Sequence, residues 1–399
     1  MPLDVNRIIS QIDALVAEVK LRRGDFVKKL DLATNLMNSL DKNTADIVRK
    51  LEQARTTWLL AGIKGCINQS KKAGCLPADF CVIGSDGSHI DVDRHHSERL
   101  FVLNMAVIYL QYGSYPRAEF VSNPTLYFGD ENLNIRASDG RQIAIEGPLL
   151  GMKRSVEECR CLADMVCVST ADLPILGLLD GSLIMWGLVS QRYDDFVVNE
   201  LLQNGMLPQF DRFYDWGKDK RVALASYISF PRSTDVINLL RMAICPFTPI
   251  DCDRHCKGKF ENRPCDDVDG LTDRILFNKI LNKDERSAVF ISRSSINDRY
   301  GKHRVCFFYL KLDEEVARIE IPQWVADRSE LLDFVHSAIL DQCQKGFGYP
   351  VCLSEAHELA VITGTDREQF WNLLDQVMQT DQPGLQSSLK QRSKKLRWI

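Results

Sequence analysis

Two apolar runs in this chain end on the same three residues. "CVIGSDGSHI" (81–90) and "LPILGLLDGSLIMW" (173–186) each drive into Asp-Gly-Ser. Asp is depleted in strand interiors, and Asp-Gly normally makes a turn, yet apolar residues resume after the second copy. The pattern predicts two buried strands, each delivering a carboxylate, Asp86 or Asp180, to one end of a sheet.

The order of elements around them narrows the architecture. "DFCVIGSDGSHI", "LFVLNMAVIYLQYG" and "RAEFVSNPTLYFG" read as three successive strands. A helix follows over 155–165, then the strand at 173–186, then a helix over 194–203 that Asn204-Gly205 should end. "RVALASYIS" is a further strand, and Ser233 or Thr234 can cap a helix through Val236–Ile244. Residues 77–244 thus read βββαβαβα, neither a doubly wound sheet nor a sandwich. Three more strands follow 275, then helices near 331–344 and 367–378.

Before Pro77, residues 3–76 lack proline and show three-four apolar spacing: Val5, Ile8, Ile9, Ile12, Leu15, Val16 and Val19. A second helix is expected after Gly24 and a third from about Asn43. This is a helical arm or hairpin, packed on its own domain or docking a partner. The expected organisation is an N-terminal helical arm (1–76), an α/β domain (77–380) with a Cys-rich insertion at 245–275, and a basic tail (381–399). The net charge of −4 excludes a global positive field for nucleic acid, leaving a local groove as the only electrostatic route. No apolar stretch is long enough to span a bilayer, and the N-terminus has no signal-peptide core. With an odd number of cysteines, 13, the chain reads as cytoplasmic with reduced thiols.

Three strands, a helix and another strand is the opening order of an RNase H-like fold, in which the first and fourth strands are neighbours. Asp86 and Asp180 would then meet. Close carboxylates repel and burial disfavours their charge; a hard cation such as Mg²⁺ or Mn²⁺ relieves both penalties. Glycine after each Asp would let a phosphate approach the backbone, and each Ser adds a hydroxyl. The intervening helix offers Glu157 and Glu158; periodicity leaves both open, with Glu158 preferred.

"IGSDGSHI", "LGLLDGSLIMW", "SYISFPRSTDVINLLR" and "GYPVCLSEAHELAVITG" together resemble the NurA nuclease family, from about Pro77 to about Thr365. The resemblance implies an RNase H-like mixed sheet and a Mn²⁺-preferring deoxyribonuclease. It further implies 5′-to-3′ exonuclease and single-strand endonuclease activity in DNA end resection and repair. The implied assembly is a homodimer working with a hexameric HerA-type ATPase. By position, Asp86, Glu158, Asp180 and His357 match the metal-binding set, and Tyr227 matches an aromatic near the active site. A non-catalytic DNA-binding or ATPase-docking platform on the same fold is the alternative.

One segment departs from the family pattern. "CPFTPIDCDRHCKGKFENRPC" places Cys245, Cys252, His255, Cys256 and Cys265 together in sequence, a candidate structural Zn²⁺ or Fe–S site without the usual C-x₂-C knuckle. The arginine and histidines at 94–96, Arg232 and Arg241 are candidate phosphate contacts. The tail "SSLKQRSKKLRWI", including Trp398, is a candidate DNA or partner contact.

Overall fold

The computed structural model describes residues 6–40, 44–93, 98–168, 172–191, 193–259 and 262–381. The candidate contacts at 94–96, the Asn43 cap and the tail lie outside them. The chain divides into two compact units: Met1–Ala73, Ile228–Asn297 and Cys306–Ile319 form one, and Gly74–Tyr227, Asp298–Val305 and Glu320–Ile399 the other. The first unit's opening segment ends at Ala73, and that unit also takes two later segments of the chain.

The second unit is built on a mixed sheet. Its strands are β1 (Phe80–Ile90), β2 (Leu100–Tyr112), β3 (Arg117–Phe128), β4 (Ile175–Asp180) and β5 (Val222–Ile228). They lie in the order β5-β4-β1-β2-β3. β1 pairs antiparallel with β2 and β2 with β3, whereas β4 runs parallel to both β1 and β5. This is the RNase H-like order, and the chain is α/β. β1, β4 and β5 are buried on both faces, which explains why they read as unbroken apolar runs rather than alternating ones. β3 ends the sheet order and is exposed along nearly its whole length.

Helices cover this sheet. They are α1 (Pro148–Val168), α2 (Leu207–Asp219), α3 (Ser329–Lys345), α4 (Val351–Ala360) and α5 (Gly364–Asp381). α1 begins earlier than expected because Pro148 suits a first helical turn, where its missing N–H costs nothing. Alternation along β1 turns Gly84 towards α4 and Gly87 towards α1.

Two boundary expectations fail for local reasons. The strand at 173–186 stops at Asp180, since Gly181 takes φ +84° and turns the chain; Leu183, Ile184 and Met185 are buried outside any strand. The helix expected to end at Asn204-Gly205 continues, as a wide π-helical stretch Asn199–Met206 leading into α2. A Cβ on Gly205 would lie 3.0 Å from Val156 Cγ1, so this glycine permits close helix packing rather than a stop.

The first unit opens with one helix, Asn6–Leu40, that passes through Gly24 unbroken. Beyond its own helix, no atom lies within 4 Å of a Cβ built on Gly24, so no neighbouring element demands a glycine there. Ala33, Met37 and Leu40 join the core, while Ile9, Ile12, Leu15, Val16 and Val19 stay exposed. After a short helix Thr44–Glu52, the expected helical run gives way to strands Ala61–Ile63 and Lys71–Lys72. The helix Asp235–Ala243 has Thr234 at its cap position, but its hydroxyl accepts from Asn238 Nδ2 at 3.1 Å and makes no capping bond to the backbone. Buried Asp273 does the capping instead, accepting from Val236 N (3.1 Å) and Ile237 N (2.8 Å).

Candidate active site

β1 and β4 pair in parallel from Cys81↔Ile175 to Ser85↔Leu179, and the next residues on the two strands are Asp86 and Asp180. Adjacent strands lie about 4.8 Å apart, so both carboxylates leave the same end of the sheet. Asp86 is held by two donors: Gly87 N–H to Oδ1 at 2.7 Å and His357 Nδ1 to Oδ2 at 2.8 Å. α4 can bring His357 there because β1 has no side chain at Gly84. A Cβ on Gly84 would sit 2.8 Å from the Cys352 carbonyl oxygen. Asn104 Nδ2 fastens the far end of α4 through the Ala360 carbonyl at 2.9 Å.

The two candidate glutamates part company. Glu157 bonds Lys153 Nζ at 2.8 Å and Arg160 Nε at 2.6 Å. Burial would raise its pKa, but these cations overturn the effect and hold it low. Glu158 is pushed up to about 8, by burial first, against the opposing Arg154 charge, with Asp86 and Asp180 adding to the rise. Arg154 Nε lies 2.9 Å from Glu158 Oε1, yet both atoms are buried without a well-directed hydrogen bond. Loss of hydration raises Asp180 as well; the Tyr349 hydroxyl opposes this and the Asp86 charge reinforces it.

The expected roles need correcting at Gly87 and at the serines, while the space beside Gly181 is open. The space beside Gly87 is already filled, since a Cβ there would be 2.5 Å from Met105 Cε and 3.0 Å from Glu158 Oε1. That glycine admits a carboxylate, not a phosphate. The serines serve the fold: Ser88 donates to the Ala360 carbonyl and Ser182 to Glu320 Oε2 at 2.7 Å.

Tyr227 is fully buried, and its ring meets that of Tyr349 edge-on at 5.3 Å. The aromatic that bonds Asp180 is Tyr349, which sequence reasoning missed. The Gly-Phe-Gly that precedes Tyr349 is its one local signal.

Among the described residues, no group of three or more His, Cys, Asp or Glu side chains closes tightly enough to hold a metal ion. Around the sheet end, each acid is instead engaged locally, Asp86 by His357, Glu158 by Arg154 and Asp180 by Tyr349.

The cysteine segment forms no such group either. The His255 ring stacks on Phe247 at 4.1 Å, and Cys245 and Cys265 are buried apart from any ligand cluster. An ion-pair network holds the described part of this segment. Arg241 and Arg263 both grip Asp266, at 3.0 and 2.9 Å, and Arg241 lies over Trp58 at 3.9 Å. Arg241 is thereby buried and committed, while Arg232 is exposed.

A family model for the NurA domain matches residues 81–362. The chain belongs to the NurA family. A solved structure with similarity is the NurA nuclease from Sulfolobus solfataricus, 12% identical, covering 86% of this chain and 96% of that one with a TM-score of 0.48. The Aquifex aeolicus Argonaute is 10% identical over 72% of this chain and 28% of its own, with a TM-score of 0.25. Drosophila Piwi is 12% identical over 72% and 30%, with a TM-score of 0.28. No curated protein sequence matches the chain. No described helix is long and apolar enough to cross a membrane.

Proposed function

We propose that this NurA-family chain is a metal-dependent deoxyribonuclease whose hydrolytic centre is Asp86, Glu158, Asp180 and His357. The observation that carries the reading is the parallel register that sets Asp86 beside Asp180, with the buried Glu158 carboxyl under the influence of both. Three such acids destabilise one another's charge, and a hard divalent cation removes that penalty. The donor types, three carboxyls and an imidazole, suit one, although the side chains are not drawn in around a common point. Glu158 Oε1 is buried without a hydrogen-bond partner. His357 engages Asp86 through Nδ1, which leaves Nε2 as the nitrogen able to ligate, the usual division of labour for a metal-binding imidazole.

When bound, such a cation lowers the pKa of a water and stabilises the leaving oxygen of a phosphodiester. The chain's own residues prepare the ground. Gly87 N–H and His357 fix the Asp86 carboxylate, and Tyr349 orients Asp180. Arg154 balances Glu158. The finer reading is a cytoplasmic, Mn²⁺-dependent enzyme using two ions, with 5′-to-3′ exonuclease and single-strand endonuclease activity in DNA end resection and repair. It would act as a homodimer with a hexameric HerA-type ATPase. Family membership supports these points.

Purified protein with Mn²⁺ should degrade end-labelled linear DNA. Asp86→Asn should lower the rate by about 10²-fold and leave the melting temperature near that of the wild type. Degradation unchanged by this substitution would overturn the assignment. Binding without cutting by the wild type would favour a non-catalytic platform, which the local pairing of each acid also suits.

A further inference from the structure

Phe347 is the most exposed large apolar residue among those described, at 102%. It is also one of four described non-glycine residues with positive φ, at +54°. A bulky side chain in that region is an outlier, because Cβ crowds the following carbonyl.

The turn that imposes this conformation is tightly specified. Tyr349 N donates to the Gly346 carbonyl at 3.2 Å, and Phe347 and Gly348 both take positive φ between them. This is the mirror-image turn that normally calls for Asn or Gly at its first central position. Gly346 N and Gly348 N bond back to the Gln342 and Cys343 carbonyls at 3.0 and 2.8 Å. A Cβ on Gly346 would lie 2.0 Å from the Tyr349 carbonyl oxygen, so no other residue fits. The ring therefore stands on a hydrogen-bonded mount, contributes nothing to the core and sits in an unfavourable backbone state. Strain of this sort persists where the surroundings over-determine it, commonly at ligand sites.

Its position says which ligand. Two residues on, Tyr349 bonds Asp180; two residues of chain reach at most about 7 Å. That reach is between Cα atoms and places the turn next to the residue that holds Asp180; if the exposed ring faces a phosphodiester strand bound at the carboxylates, it meets that strand's bases. Aromatic faces take any unpaired base by stacking, whereas paired bases are stacked on each other already.

We propose that Phe347 is a stacking platform for an unpaired DNA base beside the scissile phosphate, biasing the enzyme towards single-stranded or frayed ends. This rests on the nuclease reading. Phe347 is a positioning residue and touches no reacting atom.

The test uses full-length protein carrying Asp86→Asn, so that DNA is bound and not consumed. Fluorescence anisotropy measures affinity for a single-stranded oligonucleotide and for a blunt duplex; 2-aminopurine quenching reports stacking. Adding Phe347→Asn relieves the backbone and removes the ring. It should raise the melting temperature while weakening single-strand binding about tenfold, abolishing the quenching and sparing the duplex. Phe347→Trp should keep both binding and quenching. In the otherwise wild-type enzyme, Phe347→Asn should raise KM for single strands with kcat little changed.

Single-strand affinity within twofold of the parent, or absence of single-strand binding altogether, overturns the inference. So does a change of oligomeric state on Phe347→Asn, which would assign the ring to a second copy of the chain. Failure of the nuclease reading shows separately, as wild-type protein that binds DNA and does not cut it.

Discussion

Glu157 and Glu158 are neighbours, both buried, and each has a basic residue four positions earlier, Lys153 or Arg154. Their roles differ because of what faces them across space. Glu157 bonds two cations in good geometry and stays ionised; Glu158 meets Asp86 and Asp180 and is driven towards its neutral form. Glu158→Gln should therefore reduce nuclease activity by about 10²-fold. Glu157→Gln should keep activity within about threefold but cost about 1–3 kcal/mol of stability, by weakening charged hydrogen bonds. Rate assays and chemical denaturation of the two variants separate these effects. That Asp86, Asp180 and His357 come together at one end of the sheet was legible from motif and order. The glutamate was not, because periodicity, burial and the i−4 neighbour are the same for both candidates. Tyr349 was hidden for a related reason: its partner Asp180 lies far off along the chain, and the Gly-Phe-Gly before it marks a turn without naming that partner.

At the scale of elements, the sheet order was legible and the ends were not. Strand runs buried on both faces stand out as apolar blocks, and their alternation with helices leaves few topologies. Glycines misled. Gly24 lies within an unbroken helix and Gly205 within a continuing one, where contact with Val156 outweighs its low helix propensity. Gly84 has the opposite lesson. It sits mid-strand because α4 crosses β1 there, and this approach places His357 on Asp86. Gly84→Ala would drive a Cβ to 2.8 Å from the Cys352 carbonyl oxygen. It should destabilise the protein by about 1–3 kcal/mol, read from its melting temperature. It should also reduce the nuclease rate more than Gly205→Ala, since only the first shifts the histidine-bearing helix.

At the scale of the whole molecule, the first unit depends on a buried acid that composition could not reveal. Asp273 caps the helix Asp235–Ala243 and accepts from Tyr309 Oη at 2.7 Å, close to the Asp235–Arg318 pair at 3.1 Å. Burial, then the Asp235 charge, raises its pKa from 3.8 to about 7. A carboxyl raised on folding binds its proton more tightly in the native state. Its contribution to stability is thus full at acid pH and is lost as pH climbs through the folded value. Between about pH 4 and 7, the wild type should lose melting temperature relative to Asp273→Asn, whose side chain does not titrate; scanning calorimetry of both across that range checks the slope. The two units are also interleaved along the chain, which passes between them five times. No single cut releases either one intact. On the ribosome, the opening helix must wait while residues 74–227 are made before the segment that buries Met37 and Leu40 emerges. Until then those side chains are exposed to whatever else is in the cell, so the newborn polypeptide is at its most vulnerable to aggregation midway through its own synthesis.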